Sequence, residues 1–228
     1  MRASKATVSE LIDALIGMQA LHAGRIEIFG ENIAPTGVFG LGGKNGMAYV
    51  PQDRHVEGLL LTALLWENAA LGYQTRAPFS KGMWIDRAGS RTRTDEIREA
   101  FDVRSPNAEV SAHALSGGNQ QKLIIGREMT SDPKFLIAAH PTRGIDVGAQ
   151  SDVWGKLRDA RANGLATMLI SADLDELIGL SDTIMVMFHG QLVATLDPAE
   201  VTPRELGKYM TGAASMSDST TVPTEVQA

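Results

Sequence analysis

Leu115-Ser116-Gly117-Gly118-Asn119-Gln120-Gln121-Lys122 places a serine and two glycines directly ahead of a segment with helical spacing. Serine is a favoured helix N-cap, and the glycines leave main-chain N–H groups open at the positive end of the helix dipole. That arrangement binds phosphate oxygens. The same residues also suit an N-cap followed by flexible glycines with no ligand at all. The spacing predicts a helix that begins just after Ser116 and runs to about Met129.

Downstream of this helix, elements alternate. Lys134–Ala139 is a short apolar run bounded by Pro133 and Pro141, which suits a buried strand. A helix over Val147–Ala162, a strand over Leu165–Ile170, a helix over Asp173–Leu180 and a strand over Thr183–Phe188 follow. His189-Gly190 then turns the chain into Gln191–Ala194 as a hairpin. The alternation from residue 133 onward predicts an α/β fold with a parallel, doubly wound sheet.

Upstream, Ser9–Ala20 has the period of an amphipathic helix, with Leu11, Ile12, Leu15, Ile16 and Met18 on its apolar face and Ser9 as its cap. Arg25–Phe29 and Met47–Val50 read as short strands, and residues 64 to about 110 as mostly helical, Asp95–Phe101 most clearly. Gly40–Asn45 reads as a flexible turn, because it lacks the glycine spacing and the hydroxyl residue of a phosphate-binding loop. The tail over 213–228 is rich in Ser, Thr and Pro and is expected to be disordered.

Bulk composition narrows the class. The 228 residues include no cysteine, which excludes disulfides and thiolate metal sites and fits a reducing compartment. A net charge of -6 argues against a non-specific nucleic-acid binder. The longest apolar run, Leu59–Trp66, falls short of the ~20 residues that span a bilayer, so a membrane role would come through a partner protein.

The segment 115–122 resembles the signature of ABC-transporter ATP-binding domains, in the form found in simple-sugar and nucleoside importers. Three further segments, in matching order, strengthen the resemblance. Pro141-Thr142-Arg143-Gly144-Ile145-Asp146 is similar to the family's stretch after the Walker B strand, including its D-loop. Tyr49-Val50-Pro51-Gln52-Asp53-Arg54 is similar to its Q-loop segment, and Leu174-Asp175-Glu176 to the helix after its H-loop. The resemblance implies an ABC-type nucleotide-binding domain over 1–212, a P-loop NTPase-like parallel sheet with a helical signature subdomain at about 64–131, truncated at its N-terminus.

Departures from the family pattern are as informative. Its phosphate-binding loop aligns with Thr7-Val8-Ser9-Glu10-Leu11, where Ser9 can stand for the magnesium hydroxyl but Val8 replaces a basic or polar residue. In that register the chain starts inside the loop, without the glycines or the preceding strand. The Walker B aspartate and the catalytic glutamate fall on Ala139 and His140, and the H-loop histidine on Ala172. Alanine has no oxygen for a metal. His140 is a weak candidate base, since imidazole titrates near neutrality, although a histidine that merely fills the slot is the plainer reading.

By resemblance, such domains pair head to tail, and each ATP lies between the phosphate loop of one half and the signature of the other. Ser116, Gly117, Gly118, Asn119 and Gln120 would then face the ATP of a competent partner domain, which would hold most of the Mg2+ coordination. Asp146 would reach across the same interface, and Gln52 would link nucleotide to a transmembrane permease, each being otherwise a solvated loop residue. The implied setting is peripheral, at the cytoplasmic face of the membrane, with a substrate-binding protein as an indirect partner and no nucleic acid. Ala138-Ala139-His140 before Pro141 points to the nucleoside branch. A weak autonomous ATPase using His140, or a structural remnant, stays open as an alternative.

Overall fold

The computed structural model describes residues 7–21, 23–28, 30–32 and 46–213. Phe29, the expected turn at 40–45 and the tail beyond Ala213 lie outside the described residues. The chain divides into two compact units, Met1–Val38 with Ser171–Ala228, and Phe39–Ile170.

The first unit opens with helix α1 (Val8–Leu15). The expected Ser9 cap is corrected: Thr7 caps α1, its hydroxyl accepting the Glu10 N–H at 3.3 Å while its own N–H donates to Glu10 Oε2 at 2.5 Å. Thr7 and Glu10 have the spacing of a capping box, which sets the first turn and leaves Ser9 inside it and exposed. The helix stops at Leu15 instead of reaching Ala20, because Gly17 turns the main chain left-handed at φ 78°. The strand expected over 25–29 is reduced to β1 (Glu27–Ile28), antiparallel to β2 (Glu31–Asn32).

In the second unit, β3 (Met47–Val50) leads into a π-helical turn over Arg54–Gly58 and helix α2 (Leu65–Ala70). Where further helix is expected, the chain forms a small hairpin, β4 (Ser80–Lys81) and β5 (Trp84–Ile85), with Gly82 at φ 64° in its turn. Helix α3 (Arg87–Ala100) starts well ahead of Asp95 because the Asp86 carboxylate caps the N–H groups of Ala88 and Gly89, both at 3.1 Å. Its first turns, Arg87-Ala88-Gly89-Ser90, bury Ser90 rather than an apolar residue, so the hydrophobic period does not reveal them.

Helix α4 (Gly117–Met129), β6 (Phe135–Ala139), α5 (Val147–Ala162) and β7 (Ala166–Ile170) complete the unit. The strands form a parallel sheet in the order β3-β6-β7, with Val50 opposite Ala138 and Ala139 opposite Ile170. The central strand β6 has partners on both edges, and its Leu136, Ile137, Ala138 and Ala139 are fully buried. That explains why the segment reads as an unbroken apolar run rather than an alternating one.

The first unit resumes with α6 (Leu174–Leu180), β8 (Ile184–Phe188), β9 (Gln191–Leu196) and α7 (Pro203–Met210). The hairpin at His189-Gly190 forms as expected, with both residues at positive φ, 50° and 78°, the geometry that matches the twist of two antiparallel strands. The parallel alternation expected from residue 133 onward therefore stops at β7, since among the described residues β8 pairs with β9 in a separate sheet. Ile184, Val186, Ala194, Leu206 and Tyr209 form a buried cluster that holds α7 on this hairpin.

Candidate nucleotide-facing site

The signature stretch occupies the first turn of α4. Ser116 is the N-cap; its hydroxyl accepts the Asn119 N–H at 3.4 Å and the Asn119 side-chain amide at 2.9 Å. Asn119 in turn accepts the main-chain N–H of Arg104 at 2.8 Å, which fixes its amide. Ser116 is exposed, Gly117 and Asn119 are half-buried and Gly118 is buried, so the open end of the helix carries Ser116, flanked by Gly117 and Asn119.

Close approach confines both glycines, Gly118 the more strictly. A Cβ on Gly117 would lie 2.9 Å from Arg54 Nη2 and 3.3 Å from the carbonyl of Gly144. A Cβ on Gly118 would lie 2.7 Å from Ala149 Cβ and 3.5 Å from Asp146 Oδ2. The structure thus brings the turn after β6 and the start of α5 against the first turn of α4. Asp146 caps α5, accepting the Ala149 N–H at 2.9 Å, and this bond holds its carboxyl below the ordinary carboxylate value.

Gln120 does not share the exposed end. It is buried, its amide donating to the carbonyl of Ala112 at 3.1 Å and its oxygen lying 3.0 Å from His55 Nε2 and 3.3 Å from Arg54 Nε. Its carboxamide is committed within the protein, beneath the turn. Gln52 is half-buried just beyond β3, and Asp53 caps the following π-helical turn by accepting the N–H groups of His55 at 2.9 Å and Val56 at 3.2 Å. Ser9 lies on α1 in the other compact unit.

At the end of β6, Ala139 is fully buried and His140 takes a left-handed conformation at φ 48°. The His140 N–H donates to the carbonyl of Ile170 at 2.7 Å, and its carbonyl accepts the Arg143 N–H at 3.0 Å. A non-glycine residue held in this region stores strain and occurs where the surroundings dictate the turn. With Ala139 contributing a methyl group, this strand end has no carboxylate for a magnesium ion and does not fit one. The first turn of α4, with its hydroxyl and N–H groups, does fit a phosphate.

Arg54, which the sequence places in the Q-loop-like stretch without a role of its own, stands two residues past Gln52 and donates from Nη1 to the carbonyl of Arg143 at 2.9 Å and from Nη2 to that of Gly144 at 3.4 Å. The polar core around α4 has no signal in the sequence. Arg127 and Glu128 are buried and paired at 2.8 Å; Arg127 donates to the carbonyls of Gly58 at 2.9 Å and Asn68 at 3.2 Å. Glu128 accepts the Tyr73 hydroxyl at 3.0 Å and the Tyr49 N–H at 3.4 Å. Burial, with the Glu128 carboxylate beside it, pushes the Tyr73 phenol well above its ordinary range. No helix among the described residues is long and apolar enough to cross a membrane.

Residues 8–143 match the ABC transporter family, and the chain belongs to it. Its fold is that of an ATP-binding cassette. It superposes with a TM-score of 0.69 on a nucleotide-free ATP-binding cassette from an ABC transporter, at 22% identity over 89% of this chain and 79% of the other. The dimeric post-hydrolysis cassette MJ0796 bound to ADP and Pi gives a TM-score of 0.70 at 16% identity, covering 84% and 80%. Among curated proteins it is 40% identical to the guanosine import ATP-binding protein NupO of Bacillus subtilis (strain 168), over 90% of this chain and 40% of that protein. It is 38% identical to the nucleoside import ATP-binding protein NupA of Lactococcus lactis subsp. cremoris, with the same coverage. The ribose import ATP-binding protein RbsA of Shouchella clausii is 33% identical, again over 90% and 40%. The chain therefore spans about 40% of the length of these relatives.

Proposed function

We propose that this chain acts as the non-hydrolysing half of a bacterial ABC importer's ATP-binding machinery, its signature turn capping the γ-phosphate of ATP held by a competent partner domain. The observation that carries this reading is the contrast within one unit. The first turn of α4 offers Ser116 and open N–H groups, whereas the end of β6 offers Ala139 and a strained His140. Phosphoryl transfer depends on charge stabilisation by lysine and metal, and the residues at 7–11 and 139–140 supply neither. A helix N-terminus, by contrast, can stabilise phosphate charge brought to it by another domain.

In this reading ATP is shared across an interface, and Mg2+ is held mainly by the partner. Residues 1–212 form the nucleotide-binding domain and the helices between about 64 and 131 its signature subdomain. In this reading Asp146, which lies beside Gly118, faces the same partner, and Gln52, half-buried just beyond β3, belongs to the segment that meets a permease. The import functions named for the relatives support nucleosides or simple sugars as cargo, delivered through a permease from a substrate-binding protein. The chain would sit peripherally on the cytoplasmic side through that permease.

Titration of the chain into a competent ATP-binding-cassette domain tests this directly. ATP turnover should rise to a plateau with the natural chain and stay at the partner's basal rate with Ser116→Arg, which fills the open end of α4. Equal stimulation by both chains would exclude a signature role.

A further inference from the structure

We propose that Arg54 is a positioning residue that sets the spacing between the signature turn and the Arg143–Gly144 turn; the inference rests on the reading that the signature turn meets a partner's ATP. Three donors of one planar guanidinium reach acceptors on two separate segments: Nη1 the carbonyl of Arg143 at 2.9 Å, Nη2 that of Gly144 at 3.4 Å, and Nε the Gln120 oxygen at 3.3 Å. The group is held by shape as well as by hydrogen bonds. Gly117 has no Cβ, and one there would lie 2.9 Å from Nη2. Gly144, at φ 69°, turns its carbonyl toward the same group.

Gln120 anchors the other side. Its amide donates to Ala112, which fixes the oxygen as the acceptor, and that oxygen lies within reach of both Arg54 Nε and His55 Nε2. Among the described residues Arg54 has no carboxylate partner. Its acceptors are neutral, so a full positive charge stands next to the N-terminus of α4. A lysine there keeps the charge but cannot span three acceptors in one plane. Because Arg54 follows Gln52 so closely, any movement of that segment is carried to both turns by the same side chain.

The test uses the mixture of this chain with a competent ATP-binding-cassette domain, each Arg54 variant being titrated to saturation. Arg54→Ala should lower the plateau kcat roughly tenfold or more, since misplacing a group by about 1 Å can cost up to about 100-fold. The KM for ATP, which the partner holds, should change far less, and Arg54→Lys should fail to restore kcat. A defect that vanished at saturating chain would mean reduced folding alone and would overturn the inference. So would natural kcat for Arg54→Ala in an assay where Ser116→Arg abolishes stimulation. Full stimulation by Ser116→Arg would instead remove the underlying reading, whatever Arg54 does.

Discussion

Gly118 and Ala149 approach so closely that a Cβ on the glycine would lie 2.7 Å from the alanine methyl. The second glycine of the signature is therefore set by α5 packing as well as by access to a ligand. Gly126, on the same helix, is equally confined: a Cβ there would meet Ile97 Cγ2 at 2.6 Å and Phe101 at 3.0 Å. Gly155, within α5, has open space around it.

These environments predict opposite signs for one substitution. Gly118→Ala and Gly126→Ala should each destabilise the chain by about 1–3 kcal/mol through overpacking. Gly155→Ala should stabilise it by about 0.5–1 kcal/mol, since alanine is the better helix former and nothing obstructs it. Urea denaturation of the three variants separates the two outcomes.

The buried Arg127–Glu128 pair links α4 to the Gly58 and Asn68 carbonyls and to Tyr73. Glu128→Ala leaves Arg127 buried at 6% exposure without its carboxylate, and should cost about 3–5 kcal/mol. Removing both charges with Arg127→Met and Glu128→Leu should cost less than the single change. A double-mutant cycle by chemical denaturation reads this coupling.

Lys122 predicts a pH dependence of stability. Its ammonium, almost fully buried, pairs with Asp152 at 2.7 Å and Asp102 at 3.2 Å. Burial pulls the lysine down, but its hydrogen bonds to Asp152 and Asp102 outweigh this and hold it above its usual 10.5. The hydrogen bond from Lys122 holds Asp102 below its usual 3.8. The Asp102 contribution is present above 3.8 and is lost as pH falls from there through the folded value. The Lys122 contribution is complete below 10.5 and is lost as pH rises through the folded value. Denaturation midpoints measured across pH should show both limbs, flattened at the acid end by Asp102→Asn and at both ends by Lys122→Met.

His140 carries a cost at φ 48° that glycine would not. His140→Gly should be more stable than His140→Ala by about 1 kcal/mol, the penalty of a left-handed residue that carries a Cβ. His140→Ala should leave partner-stimulated ATP turnover unchanged, because the proposed chemistry takes place on the partner domain. Phosphate release with the His140→Ala chain checks the second point, and a large loss there would favour an autonomous base.

Much of this was legible in the residues. Ser116 and the glycines after it mark the start of α4, and the apolar run 135–139 between prolines marks the central strand. The early start of α3 was hidden because Ser90 and Thr94 are buried with their hydroxyls bonded to the carbonyls of Asp86 and Ser90, so polar residues occupy its inner face. The apolar period of α1 runs past Gly17, where the main chain turns left-handed, so the sequence overstates the extent of the helix. The role of Arg54 is hidden for a different reason. Its partners are main-chain carbonyls at 143 and 144 and an amide at 120, and no spacing in a sequence encodes a contact across that distance.

ATP turnover by the purified chain, alone and then mixed with a competent ATP-binding-cassette domain, separates a partner-completing half from an autonomous ATPase. The chain alone should release no phosphate, and the mixture should turn over ATP faster than the partner by itself. Sustained turnover by the isolated chain, or a mixture no faster than the partner, would contradict the partner-completing role.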